Sequence, residues 1–225
     1  MLVYQHDRQQ WWQCGDLTAE MITEPDDSKL PEIGNFTAAT SQLEYEQGVR
    51  RIHEYISAGD IYQVNLTQRF SAPVSAGNGS LFPLYQHLRE STPSPLAIWM
   101  KLAEREILSS SPETFLRMSG RNIETRPIKG TRPRFSDPEL DARSASELLA
   151  SEKERAELIM ITDLERNDLG QVCEFGTVRV ADMLALEKLE QVYHLVSTVT
   201  GTLREKIDHL AALAACFPGG SITGA

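Results

Sequence analysis

Four stretches of the sequence combine residue types that suit chemistry on a small anion. The first is Thr125-Arg-Pro-Ile-Lys-Gly-Thr-Arg-Pro-Arg134. Lys129 stands beside Gly130, where a backbone without a Cβ can approach a ligand. Arg126, Arg132 and Arg134 flank it in sequence. Neighbouring cations favour the free amine of a lysine, which is a nucleophile, and they attract an anionic substrate. The same stretch also reads as a solvated basic loop. The second is Glu113 in Ser109-Ser-Ser-Pro-Glu-Thr-Phe115. A hairpin between the two would bring Glu113 near Lys129, pairing an acid with a nucleophile. Glu113 also reads as a helix-initiating or turn glutamate after Pro112.

The third stretch runs from Ser151 to Gly170 and holds Glu154 and Glu157. At i and i+3 they share one helix face. Two adjacent carboxylates repel unless a cation lies between them, and Mg²⁺ takes oxygen ligands of this kind. A solvated face neutralised by Lys153 and Arg155 is the plainer reading. The fourth is Phe217-Pro-Gly-Gly-Ser-Ile-Thr-Gly-Ala225, whose N–H and hydroxyl groups suit a carboxylate or phosphate. It is not a Walker A loop, because GxxxxGK[ST] is absent. His194 lies in an apolar strand pattern, which suits a structural role at least as well as a catalytic one. No GxSxG elbow is present to support a hydrolase triad.

These residues must be positioned by a chain of 225 residues, enough for one large domain or two small ones. Lys and Arg total 22 against 32 Asp and Glu, a net charge of −10, which argues against a nucleic-acid partner. Cys14, Cys173 and Cys216 are odd in number and far apart, so no disulfide framework is implied and a reducing cytoplasm is expected. The N-terminus lacks the apolar core of a signal peptide, and no apolar run is long enough to cross a bilayer, so no membrane association is expected.

The periodicities predict the scaffold. Residues 1–35 hold strand-like pieces and a polar stretch at 24–28 that reads as a surface linker. Residues 41–58 read as a helix, with Ser41-x-x-Glu44 as a capping box and Gly59 as the stop. Residues 61–70 alternate: Tyr62, Val64, Leu66 and Phe70 lie on one side, Gln63, Asn65, Thr67 and Arg69 on the other. That predicts a half-buried strand with an amide-rich outer face. A loop at 72–80, a short helix at 81–90, and strands at 96–102, 106–109, 115–118 and 122–126 follow. One long helix is expected over 144–169, stopped by Gly170. Strands at 176–182 and 191–202 and a helix at 208–216 complete the pattern. Strands cluster without βαβ alternation, so the expected class is α+β with a mostly antiparallel sheet.

Taken together, the order and wording of these motifs resemble the chorismate-utilising enzymes, which include anthranilate, aminodeoxychorismate, isochorismate and salicylate synthases. The resemblance rests on Gly59-Asp-Ile-Tyr-Gln-Val-Asn-Leu-Thr-Gln-Arg69, Ser111-Pro-Glu-Thr-Phe115, Thr125-Arg-Pro-Ile-Lys-Gly-Thr131, Ala156-Glu157 with Asp163-Leu-Glu-Arg-Asn-Asp168, His194-Leu-Val-Ser-Thr198 and the 217–224 stretch. It covers 36–225 strongly and implies a catalytic domain there, with 1–35 as the end of an N-terminal region. Lys129 in Pro-Ile-Lys-Gly-Thr is similar to component I of the aminodeoxychorismate branch, where anthranilate synthases have Ala. Gln63 stands where water-adding members carry a lysine base, which argues against isochorismate and salicylate synthase activity.

The resemblance implies a β-sandwich core flanked by helices. It implies Glu113 as the acid for the departing C4 hydroxyl and Lys129 as the nucleophile at C2. Glu154 and Glu157 are implied on Mg²⁺ or its shell. Gly130, Thr131, His194, Gly220, Ser221 and Thr223 are implied around chorismate. Ammonia would come from a separate glutamine amidotransferase subunit. Family members continue beyond Gly224 and begin before residue 1, so a fragment is expected, inactive by itself. An anthranilate synthase subunit and a non-catalytic remnant or binding module are the alternatives.

Overall fold

A computed structural model describes residues 2–5, 8–13, 15, 29–75 and 80–223. The 24–28 linker, Cys14 and Gly224 lie outside the described residues. In chain order, β1 (Leu2–Gln5) and β2 (Gln10–Gln13) form a hairpin. Short strands β3 (Glu32–Ile33) and β4 (Thr37–Ala38) precede helix α1 (Gln42–Ala58). They pair antiparallel with β6 (Val74–Ser75) and β5 (Phe70–Ser71), respectively. Helix α1 begins as its sequence predicts. The Glu44 N–H donates to Ser41 Oγ, the Ser41 N–H donates to Glu44 Oε2, and Gly59 caps the C-terminus.

Helix α2 (Phe82–Ser91) leads into the hairpin of β7 (Leu96–Lys101) and β8 (Glu106–Ser111). Strands β9 (Thr114–Ser119), β10 (Asn122–Arg126) and β11 (Ile128–Pro133) follow, then helices α3 (Pro138–Ala150) and α4 (Glu152–Val172). Strands β12 (Arg179–Lys188) and β13 (Val192–Thr202), helix α5 (His209–Cys216) and the single turn α6 (Gly220–Thr223) end the described chain. Every strand pairing is antiparallel, in agreement with the expected α+β class.

β13 is the axis of the largest sheet. β12 runs along one edge, while β10 and then β11 run along the other. Pro127 between β10 and β11 has no N–H to give, but its carbonyl accepts from the Ser197 N–H at 3.2 Å, so the connection stays on β13. Helix α4 packs on this sheet. Leu169 and Val172 join Ile123, Val199, Leu203 and Cys216 in one apolar cluster. Leu158 joins Leu148, Tyr193 and Leu195 in another. Each fully buried leucine contributes roughly 1.5–3 kcal/mol. Among the described residues no helix is long and apolar enough to cross a membrane.

Three expectations are corrected. The long helix over 144–169 is two helices that meet at Ser151, which ends α3 and caps α4 by accepting from the Glu154 N–H. The Ser151-x-x-Glu154 spacing repeats the capping signature of Ser41-x-x-Glu44 and is the signal that marks the break. Gly170 lies inside α4 and does not stop it. The expected strand over 61–70 is irregular up to Phe70, where β5 begins. Neither side is covered: Tyr62 is 81% exposed and Phe70 58%, Asn65, Thr67 and Arg69 are exposed as well, and Gln63 is half-buried. The reason is the absence, among the described residues, of a neighbouring backbone to pair with 61–68; pairing begins only where the Arg69 carbonyl accepts from the Ala39 N–H at 2.8 Å. Finally, the basic stretch around Lys129 is strand β11.

Candidate active site

The candidate residues lie along β11: its start and the Phe217–Thr223 turn meet Glu113 of the β8–β9 connection, and its Gly130 meets Glu154 in the first turn of α4. Glu113 stands in that connection. Its Oε1 accepts the Ile128 N–H at 3.0 Å and the Ser221 hydroxyl at 2.6 Å. The amide of the residue preceding Lys129 is therefore fixed to Glu113. Both donors reach one oxygen, which leaves Oε2 to carry or release a proton.

Lys129 is half-buried on β11 opposite Leu195. Among the described residues nothing pairs with or accepts a hydrogen bond from its amine. The flanking arginines do not form a bare cationic cluster around it. Arg126 pairs with Glu187, Arg134 with Asp141 at 2.9 Å, and Arg132 lies 3.7 Å from Glu154. Asp141 also accepts from Tyr193 Oη at 2.7 Å. The Arg134 guanidinium holds the Asp141 carboxyl well below its usual range. This network ties the end of β11 to α3.

Gly130 interrupts the register of β11 with β13 between Lys129 and Thr131, at φ +75°. A Cβ here would lie 2.8 Å from Leu148 Cδ1 and 3.1 Å from Glu154 Cβ. Its bareness admits the first turns of α4, which bring Glu154 over the strand. Gly130, expected to let a ligand approach closely, is approached in this structure by Glu154. Beyond the bulge, Thr131 Oγ1 lies 3.1 Å from His194 Nδ1, with the Gly130 carbonyl 3.4 Å from the same nitrogen. His194 is buried and held in one ring orientation by β11.

Glu154 and Glu157 occupy successive turns of α4, with loose ionic contacts to Arg132 and to Lys153 at 3.9 Å. Among the described residues no three His, Cys, Asp or Glu side chains converge as a metal cage. Mg²⁺ does not require one: one or two carboxylates suffice, with water and substrate oxygens completing the shell. The pair fits that partial role.

The Phe217–Thr223 turn is fixed from three sides. The Gly220 N–H donates to Glu165 Oε1 at 3.1 Å. The Asn65 amide donates to the Ser221 and Ile222 carbonyls at 2.9 and 2.8 Å. The Ser221 hydroxyl rests on Glu113. A Cβ on Gly220 would meet Leu164 Cδ2 at 2.5 Å, so any side chain here would have to displace Leu164 of α4. The Gly220 N–H and the Ser221 hydroxyl are thus already engaged by carboxylates, while Thr223 reaches back toward the Gly219 carbonyl at 3.5 Å. Between the turn and the sheet lies a cavity of about 270 Å³, lined by Glu113, Phe115, Thr125, Glu165, Phe217 and Ser221 among others.

Glu165 and Asn65 were not expected as site residues, and Gln63 was weighed only against the water-adding activities. Glu165 is only 2% exposed, in the stripe Leu158, Ile161, Leu169, Val172 of α4. A carboxylate inside an apolar helical stripe was the available signal. Asn65 and Gln63 lay on the face read as outward. The Gln63 carbonyl oxygen is buried and has no hydrogen-bond partner among the described residues.

Comparison with known proteins gives a concordant result. A family model described as chorismate binding enzyme matches residues 3–225. Anthranilate synthase component 1 of Thermus thermophilus is 49% identical over 190 residues, covering 84% of this chain and 40% of that protein. Aminodeoxychorismate synthase component 1 of Bacillus subtilis is 43% identical over 197 residues, covering 88% and 41%. The chain therefore spans about 40% of the length of these curated relatives. In structure it is similar to anthranilate synthase component I from Streptococcus pneumoniae, with TM-score 0.84 and 28% identity, over 100% of this chain and 53% of that one.

Proposed function

This chain belongs to the chorismate-binding enzymes, and from that premise we propose that it is part of the catalytic domain of an aminodeoxychorismate synthase component I. The reaction is replacement of the C4 hydroxyl of chorismate by ammonia, giving 4-amino-4-deoxychorismate and water. The observation that carries the reading is Lys129 on β11, next to the Ile128 amide that Glu113 binds. An amine and a carboxyl oxygen, each without a hydrogen-bond partner among the described residues, then serve the same small region.

Glu113 Oε2 gives its proton to the C4 hydroxyl, which leaves as water. The Lys129 amine forms a bond to C2 as the ring double bonds shift and the C4–O bond breaks. Ammonia then bonds to C4, the double bonds shift back, the C2–N bond to Lys129 breaks to release its free amine, and the new C4 ammonium returns one proton to Glu113. Two displacements replace one difficult substitution. Glu154 and Glu157 would hold Mg²⁺, which supplies charge stabilisation for the ring carboxylate and the leaving oxygen. Thr131, His194 and the Gly220–Thr223 turn bound the substrate space. The relatives carry the designation component 1, which supports an ammonia supply from a partner glutamine amidotransferase.

The test is product analysis on the product of the complete reading frame that encodes these residues, with chorismate, Mg²⁺ and ammonia. Para-amination is expected, and Lys129→Ala is expected to slow it by at least about 100-fold. A Lys129→Ala enzyme working at the wild-type rate would remove the nucleophile assignment. The second reading is anthranilate synthase component I, favoured by the 49% identity to the Thermus protein. An ortho-aminated product would establish it.

A further inference from the structure

We propose that Glu165 is a positioning residue: it holds the Gly220 amide and the Thr125 hydroxyl, and so keeps the Ser221 hydroxyl on Glu113. The inference rests on the reading of Glu113 as the acid of the reaction.

The geometry is a relay of four groups. Glu165 Oε1 accepts from Gly220 N–H at 3.1 Å, and Oε2 accepts from Thr125 Oγ1 at 3.3 Å. Thr125 lies on β10, buried at the centre of the sheet. Gly220 immediately precedes Ser221, whose hydroxyl is 2.6 Å from Glu113 Oε1. One buried carboxyl therefore spans the rigid sheet and the turn that sets the donor on the acid. Asn65 holds the carbonyl side of the same turn. If the turn withdrew, Glu113 Oε1 would lose one of its two donors, and the proton on this carboxyl would no longer be confined to Oε2.

Burying a carboxyl in an apolar helix stripe is unfavourable unless its oxygens are occupied. Burial, with Asp168 and Glu113 nearby, raises the Glu165 pKa above the ordinary glutamate value. A leucine would fill this stripe at lower cost, so the polar group is explained by what it holds. Displacing a reacting group by about 1 Å can cost on the order of 100-fold in rate, so a fixed turn matters more than the energy of one hydrogen bond.

The experiment uses the complete gene product with chorismate, Mg²⁺ and ammonia. The variants are Glu165→Leu, Glu165→Gln, Ser221→Ala and the Leu/Ala double variant. Glu165→Leu should lower kcat at least about 10-fold while KM moves less than about 3-fold. Glu165→Gln should recover to within about 3-fold, because its carbonyl still accepts from Gly220 and its amide can face Thr125. The double variant should be no slower than the slower single, as expected for groups acting in series. Hydrogen exchange of residues 219–223 should speed up at least about 10-fold in Glu165→Leu and stay protected in Glu165→Gln. Thr125→Val, which removes one of the two anchors, should show both effects more weakly; it serves if Glu165→Leu does not fold. Wild-type kcat and exchange in Glu165→Leu, or in Thr125→Val if that is the folded one, would overturn the proposal. So would losses in the double variant that multiply. If the wild-type protein yields no aminated chorismate, the reading of function fails, and the exchange experiment still decides whether Glu165 holds the turn.

Discussion

Helix α4 and the segment 61–70 are both strongly patterned, yet they lie in opposite environments. The apolar stripe of α4 is covered by the sheet: Leu158, Ile161 and Leu169 are fully buried. The apolar side of 61–70 and the face of α1 beside it hold no fully buried residue, although Gly48 and Leu66 touch. The difference shows what a hydrophobic pattern encodes. It marks a surface that gains from being covered, and neither the conformation nor the cover is contained in it. The candidate site lies on the seam between the two regions. The packed region supplies Glu113, Lys129, Glu154 and Glu165, and the open region reaches across with Asn65.

The largest expected effect separates the two regions by stability. Leu195→Ala, in the central strand, should lower the unfolding free energy of the complete gene product by about 2–5 kcal/mol. Tyr62→Ala should change it by less than about 0.5 kcal/mol, as for an exposed side chain. Denaturant unfolding measures both. A loss above about 2 kcal/mol in Tyr62→Ala would break the comparison, because the open region would then be buried in the full molecule.

The same contrast explains what was legible in the sequence. Helix α1 was readable from its caps, and β10 and β13 as short strand-forming runs, because in each case local chemistry agrees with tertiary packing. The strand expected over 61–70 failed because its alternation is real but no backbone lies alongside to complete a ladder. The break at Ser151 was hidden by continuous helical composition, although its cap was written in Ser151 and Glu154. Lys129 and Glu113 could be named from residue type and spacing. Glu165 could be marked only as a carboxylate in an apolar stripe; the group it binds appears when Gly220, 55 residues later, folds against it.

A smaller effect sharpens the role of the packed region in placing the carboxylates. Gly130→Ala must hold φ near +75° and find room against Leu148 and Glu154. Roughly 1–3 kcal/mol of stability should be lost. The displaced α4 turn should also raise the Mg²⁺ concentration required for half-maximal activity. A variant of unchanged stability and unchanged Mg²⁺ requirement would show that Glu154 is not set by this contact.

The smallest effect compares one carboxylate from each region, and the signs are opposite. Glu165 is raised, chiefly by burial. Its folded state binds the proton more tightly than the unfolded chain, so its contribution is complete below about 4.5 and is lost as pH rises through the raised value. Glu44 is lowered, chiefly by the Ser41 side chain at the start of α1. Its contribution is present above about 4.5 and is lost as pH falls through the lowered value. Denaturant unfolding of wild type, Glu165→Gln and Glu44→Gln across this range measures both. Relative to wild type, Glu165→Gln should gain stability as pH rises above about 4.5. Glu44→Gln should lose ground as pH rises toward that value from below. Parallel curves for both variants would mean that the two carboxylates share one environment, and the division between a covered and an open region would not hold for their charges.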